Sequence, residues 1–218
     1  MIELFSKLVA VITLVILSPL FIIIIIISFI FQGLPIFFYH NRIGYKYEKF
    51  RLIKFRSMDN SNNDNPITDK EDIRITKWGK IIRYLKLDEL PQLINIIIGD
   101  MRFVGPRPEV EQYVLNNDFS FLYKIKPGLT DFSSIILRNE PQVLDKLGGS
   151  KNYQKLLSIK IKLANLYANN KSLWLDLQLT FITILSIIFK KIAASLIINY
   201  FILRLKPNLV PTINKIVQ

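Results

Sequence analysis

Residues 8–31 read LVAVITLVILSPLFIIIIIISFIF, an uncharged run that limits what the rest of the chain can do. At about 1.5 Å per helical residue the run reaches about 36 Å, more than the roughly 30 Å of a bilayer's hydrocarbon core. A secretory leader has a shorter apolar region and a small-residue cleavage site, and neither is present here. Ser18-Pro19 falls near the middle. Proline removes a backbone donor and its ring clashes with the carbonyl one turn back, so the helix must break there. The Ser18 hydroxyl is placed to satisfy a freed backbone group. A kinked single span and a re-entrant hairpin both satisfy this pattern.

The remainder is basic. The 218 residues carry a formal charge of +12, with 50% hydrophobic and 21% charged residues. That is too apolar for an ordinary soluble domain and too charged for a multi-span transporter. One membrane element on a water-facing body fits both numbers. Arg42, Lys46, Lys49, Arg51, Lys54 and Arg56 follow the apolar run directly. That is where cytoplasmic cations sit in membrane proteins, and it favours anionic lipid and phosphorylated ligands as partners, with no nucleic acid. The chain has no cysteine and a single histidine, His40. Disulfides, zinc ribbons and thiol nucleophiles are excluded. Any metal must be a hard cation such as magnesium, held by carboxylates, carbonyls and phosphates.

The expected fold is α+β and predominantly helical, in three parts: a membrane segment over residues 1–40, a cytoplasmic catalytic domain over 41–180, and a membrane-associated amphipathic tail over 181–218. Residues 42–58 read as strand or loop, and 59–72 as a polar surface loop. Residues 78–87 read as a short amphipathic helix carrying Lys80, Arg83 and Lys86. A second helix is predicted over 91–98, with Pro91 at its first position. The stretch from Pro106 to Gly128 is punctuated by prolines and is expected to be irregular. Residues 153–168 have helical spacing, and 173–203 are helix-prone. Within the latter, residues 192–203 are too few to span a bilayer and are expected to lie on its surface.

Chemistry concentrates at Leu87-Asp88-Glu89-Leu90-Pro91-Gln92-Leu93. Two adjacent carboxylates precede a proline that opens a helix, a place that favours anions. Taken alone, the motif needs no more than a charge bonus of about 0.3–1 kcal/mol. Neighbouring side chains on a helix diverge by about 100°, so the two acids divide labour more readily than they share a proton. Arg83 lies about one turn earlier and can face the same pocket. Arg107 stands between Pro106 and Pro108 on a stiff backbone suited to aiming a guanidinium at phosphate. Lys126-Pro127-Gly128 forms another rigid turn, and Arg138 follows.

In this order the motifs resemble the bacterial sugar transferases, also called monotopic phosphoglycosyl transferases. The resemblance runs from Ser18-Pro19 through Arg42-Ile43-Gly44, Lys54-Phe55-Arg56-Ser57-Met58, Arg74-Ile75-Thr76 and the Asp88-Glu89 core. It continues through Gly99-Asp100-Met101, Pro106-Arg107-Pro108, Lys126 to Thr130 and Ser172 to Leu177. The chain looks like the minimal catalytic form. The resemblance implies that Asp88 attacks the sugar-linked phosphorus of a UDP-sugar, expels UMP and keeps the phosphosugar, which undecaprenyl phosphate then collects. It implies Glu89 as the magnesium ligand, with Lys54, Arg56, Arg83, Pro106, Arg107, Pro108 and Arg138 around the substrate. It also implies a re-entrant hairpin broken at Ser18-Pro19, with both ends and the active site on the cytoplasmic face of the bacterial inner membrane. Downstream glycosyltransferases would take the lipid-linked product. The alternative is a catalytically inactive nucleotide-sugar-binding protein of the same fold, against which the presence of both Asp88 and Glu89 argues. Departures from the common pattern fall at Leu34, His40, Ile73 and Thr130-Asp131-Phe132-Ser133-Ser134, none of them at the acidic pair.

Overall fold

Helices α1 (Ile2–Ile16) and α2 (Ser18–Gln32) meet at Leu17 with a bend of 61° in the computed structural model, which describes residues 2–59, 67–69 and 72–217. Pro19 sits in the first turn of α2, where its missing N–H is least harmful. The Val15 carbonyl, which an uninterrupted helix would pair with residue 19, instead accepts from Ser18 Oγ at 2.8 Å. Among the described residues no single helix is long and apolar enough to cross a membrane. The bent pair passes that test together, on length and composition.

The concave side of the pair rests on the body. Ala10 packs with Leu52, Leu93 and Ile96, and Phe21 and Ile24 pack with Phe55 and Ile82. Leu14 and Leu17, at the bend, touch both clusters. Each end is tied down. Glu3 pairs with Lys126 at 2.5 Å, and Lys7 Nζ donates to the Ile98 carbonyl at 3.2 Å. The Arg56 guanidinium caps the end of α2, donating to the Gln32, Gly33 and Leu34 carbonyls, and Trp78 Nε1 donates to Ser28 Oγ at 2.9 Å. The convex side is left apolar and exposed, with Leu4, Leu8, Ile12, Ile22, Ile26 and Ile30 among its residues.

Next comes an antiparallel hairpin of β1 (Phe37–Ile43) and β2 (Lys49–Phe55), in register from Phe37 opposite Phe55 to Ile43 opposite Lys49. The first strand therefore begins before Arg42, where the sequence pattern places it. Helix α3 (Lys77–Tyr84) is capped by Thr76 Oγ1, which accepts from Gly79 N at 2.8 Å. It stops short of the expected Leu87 because Lys86 turns left-handed, at φ 60°. Helix α4 (Gln92–Ile98) starts one residue later than expected, with Pro91 as its cap. Its Asn95 brackets β2: Oδ1 accepts from Ile53 N at 3.0 Å and Nδ2 donates to the Arg51 carbonyl at 2.7 Å. One side chain thus satisfies a free strand edge and fixes the residues just before α4 beside Lys54.

The stretch expected to be irregular contains β3 (Arg102–Val104), helix α5 (Glu111–Leu115) and β4 (Gly128–Thr130), with β3 and β4 paired in parallel. Helices α6 (Phe132–Ile136), α7 (Glu140–Lys146), α8 (Tyr153–Asn170) and α9 (Leu173–Ile188) then build the main core around Phe132, Leu156, Leu163, Tyr167 and Leu179. The predicted 153–168 helix is α8. The helix-prone 173–203 stretch breaks at Phe189, and α10 (Lys190–Leu196) follows. Residues 192–203 do more than lie on a surface: Ala193, Ile197, Phe201 and Ile202 enter the main core, while Ile192, Leu196, Tyr200 and Leu203 face outward. The expected polar loop over 59–72 lies largely outside the described residues.

At Gly79 an added Cβ would sit 1.9 Å from the Ser57 carbonyl oxygen, so α3 can approach the segment that follows β2 only through glycine. Gly79→Ala is expected to cost about 2–3 kcal/mol, as overpacking against backbone does. Gly33, with nothing near its Cβ position but a φ of +65°, should cost only about 1–2 kcal/mol as alanine. Thermal unfolding of the detergent-solubilised variants checks the order.

Candidate active site

The left-handed Lys86 throws the chain into a tight turn, Leu87–Glu89, between α3 and α4. The turn carries Asp88 and Glu89 inward, at 5% and 7% exposure. Glu89 is surrounded by cations. Arg107 grips it with both arms, Nη2 to Oε1 at 2.5 Å and Nη1 to Oε2 at 3.3 Å. Lys54 Nζ lies 3.2 Å and Lys86 Nζ 3.6 Å from the same Oε1. Asp88 is the opposite case: its Oδ1 is buried and has no hydrogen-bond partner.

These surroundings push the two carboxyls apart. Burial raises Glu89, but Arg107, Lys86 and Lys54 outweigh it and hold the group well below the ordinary range. Burial also raises Asp88. Lys54 works against that rise, while the charge on Glu89 adds to it, and the group stays above its ordinary value. Burial brings Lys54 down to about 8 in spite of Glu89 beside it. One acid is therefore locked as an anion. Its neighbour keeps an unclaimed oxygen, and the two environments suit two different roles.

Most of the substrate-contact residues read from the sequence converge here. Pro106 and Pro108 are buried and hold Arg107 from either side. The Pro106 carbonyl accepts from Gly128 N at 3.0 Å, and the Pro108 carbonyl from Arg42 Nη1 at 3.4 Å. Arg83 reaches Ser57 Oγ at 3.4 Å, and its charge acts on Asp88. Arg138 Nη1 donates to Ser186 Oγ at 3.0 Å, while its Nη2 is buried without a partner. Burial lowers the Arg138 guanidinium, and the charge on Glu89 partly restores it. Arg56 is the exception. Its Nη1 and Nη2 donate to the end of α2, so it serves the helix pair and is not brought to the carboxylates. Ser18 and Pro19 make the bend itself.

A buried network behind Arg107 went unread in the sequence. Glu109, next after Pro108, accepts from Tyr153 OH at 3.0 Å and from Lys160 Nζ at 3.1 Å, and Arg42 lies 3.4 Å away. Lys160 also reaches Glu140, two residues beyond Arg138, at 2.8 Å. Lys160 thus ties the segment bearing Arg107 to the segment bearing Arg138. A signal existed. Lys160 stands four residues after Leu156 and three before Leu163, on the buried face of α8, where a lone lysine needs partners.

Among the described residues no three carboxylate or histidine side chains gather as a metal site. Magnesium commonly takes one or two carboxylates and fills its octahedron with water and phosphate oxygens. Glu89 offers the one carboxylate of that mode, with Arg107, Lys54 and Lys86 on its oxygens, and the surrounding residues make no all-protein cage.

A family model described as bacterial sugar transferase matches residues 1–190. The chain belongs to the bacterial sugar transferase family. It is similar to the UDP-glucose:undecaprenyl-phosphate glucose-1-phosphate transferase of Klebsiella pneumoniae, 37% identical over 158 residues that cover 69% of this chain and 32% of that protein. It is also similar to the UDP-N-acetylgalactosamine-undecaprenyl-phosphate N-acetylgalactosaminephosphotransferase of Aeromonas hydrophila, at 33% identity over 71% of this chain and 36% of that one. The exopolysaccharide production protein ExoY of Rhizobium meliloti (strain 1021) is 33% identical over 199 residues, 83% of this chain and 82% of ExoY. The chain therefore spans about a third of the length of the first two relatives and most of ExoY.

The buried network makes a prediction about stability. Burial raises Glu109, but Lys160 and Arg42 together hold it below its ordinary value. Its stabilisation is therefore present above the unfolded glutamate pKa of about 4.3 and is lost as pH falls through the lower folded value. In acid titration, Glu109→Gln should flatten that loss. Lys160→Met leaves Glu109 with Arg42 and the Tyr153 hydroxyl alone and should cost about 3 kcal/mol. Adding Glu109→Gln to Lys160→Met should recover a large part of it, read from denaturant midpoints.

Proposed function

We propose that the protein transfers a sugar-1-phosphate from a UDP-sugar to undecaprenyl phosphate, in two displacements on Asp88, at the cytoplasmic face of the bacterial inner membrane. One observation carries the reading: a buried carboxylate with a free oxygen stands next to a second carboxylate held ionised by three cations. The substrates in the relatives' names are of the same class.

In the first displacement an Asp88 oxygen bonds to the sugar-linked phosphorus, and the bond from that phosphorus to the bridging oxygen breaks. The electron pair leaves on UMP, and Asp88 carries the phosphosugar as an acyl phosphate. In the second, a phosphate oxygen of the lipid attacks the same phosphorus. The bond to Asp88 breaks, the carboxylate returns, and the lipid leaves with a diphosphate-linked sugar. Burial strips water from Asp88, so the attacking oxygen meets phosphorus without a hydration shell to shed. Arg107, Lys54, Arg83 and Arg138 hold phosphate oxygens and offset charge as the bonds change. Glu89 would hold magnesium, which when bound supplies a positive charge against the diphosphate. Lys54 and Arg107 keep Glu89 in place and ionised. The product suits downstream glycosyltransferases of polysaccharide assembly.

The helix pair supports a re-entrant arrangement. Both of its ends are bound to one body, by Lys126 at Glu3 and by Arg56 at residues 32–34, and only its convex side is apolar and open. Such a wedge sits in one leaflet and keeps the acidic pair level with lipid headgroups.

Membranes supplied with a UDP-sugar, magnesium and undecaprenyl phosphate should release UMP, and Asp88→Asn should abolish the release. Turnover that survives the substitution overturns the reading. Replacing Ser18 and Pro19 together by leucine should straighten the helix and carry an N-terminal tag outside the cell. A tag that stays protected from external protease in that double variant contradicts the re-entrant arrangement.

A further inference from the structure

Lys190 interrupts an apolar stretch and has no part in the mechanism above. Its Nζ lies 4.0 Å from the ring centroid of Tyr84, the last residue of α3. Two residues beyond Tyr84 is Lys86, whose Nζ is 3.6 Å from Glu89. From the other side Arg138 donates to Ser186, four residues before Lys190 across the break at Phe189. These contacts bring Lys86, Arg138 and Lys190 to one edge of the acidic pair. Among the described residues neither Arg138 nor Lys190 has a carboxylate partner, and Arg138 Nη2 is buried with nothing to bond. Burial together with the charges of Arg138 and Lys86 weakens the hold of Lys190 on its proton. Lys86 is paired with Glu89, so Arg138 and Lys190 are the two cations at this edge that a further anion would neutralise.

Around the cations the surface is apolar. Ile81, Tyr84, Leu85, Ile188, Phe189 and Ile192 are all exposed, and Ile188 continues onto the exposed side of α9 with Ile184 and Phe181. A soluble nucleotide gains nothing from such a border. A phosphate monoester on a hydrocarbon tail is matched by both parts of it.

We propose that Lys190, together with Lys86 and Arg138, forms the site for the phosphate of the lipid acceptor, with the tail leaving across the exposed apolar residues of α3, α9 and α10. The assignment rests on the two-displacement reading and adds an entry side for the second substrate. Lys190 binds; it makes and breaks no bond.

The two half-reactions separate the claims. Exchange of labelled UMP into UDP-sugar without lipid reports the first displacement, and product formation at varied undecaprenyl phosphate reports the second. Lys190→Ala is expected to raise the KM for the lipid about tenfold more than it changes the exchange rate, with Lys190→Arg restoring most of the loss. Lys190→Gln carries the same comparison if the alanine variant fails to accumulate in membranes. Equal falls in both half-reactions overturn the proposal, and so does a rise in KM confined to the UDP-sugar, which would place Lys190 at the donor. A wild-type enzyme that makes lipid product without any UMP exchange contradicts the two-displacement reading itself.

Discussion

A carboxylate enclosed by protein stays charged only if cations come with it, and the clasp of Arg107 on Glu89 is where this structure meets that requirement. The clasp joins two motifs eighteen residues apart and brings a third, the strand that carries Lys54, to the same oxygen. Buried ion pairs of this kind add little net stability, because desolvation offsets their attraction. Their value lies in fixed geometry. With Glu89 held by three cations, its neighbour Asp88 is left with a buried oxygen that nothing else claims.

Much of the remaining structure holds that clasp in place. Asn95 fastens α4 to β2, so the turn bearing the acids cannot drift from Lys54. Behind Arg107, Glu109 and Lys160 join its loop to the segment of Arg138. Tyr167 and Arg102 take Asp176 from two directions, at 2.5 and 3.4 Å, and seat α9 against the core with its apolar side outward. The bent helix pair is bound by the same body at the bend and at both ends. A single frame therefore sets where the acids sit and which apolar surface they sit beside.

How much of this the sequence disclosed depended on how local the cause was. The break at Ser18-Pro19 was legible because a missing donor and a nearby hydroxyl act within one turn. The acidic pair and Arg107 stood out because adjacent acids and a proline-flanked arginine are uncommon without a purpose. The end of α3 was placed at Leu87, beyond its end at Tyr84, because Lys86 adopts a left-handed turn that a lysine does not advertise. The parallel strands at Arg102 and Gly128 are three residues each, too short to show a period. The resemblance put Arg56 among the substrate residues, and nothing local disclosed that its guanidinium caps the end of α2. The break at Phe189 has no glycine or proline to announce it, and Lys160 was hidden among the exposed lysines of α8.

The central claim is a bond between Asp88 and phosphorus. Quenching the enzyme in acid after mixing it with a UDP-sugar and magnesium, without lipid, and weighing its peptides by mass spectrometry tests this directly. The account predicts a sugar-phosphate increment on the peptide that contains Asp88, removed when undecaprenyl phosphate is added before the quench. Release of UMP with that peptide unmodified, or with the increment on another side chain, would contradict it.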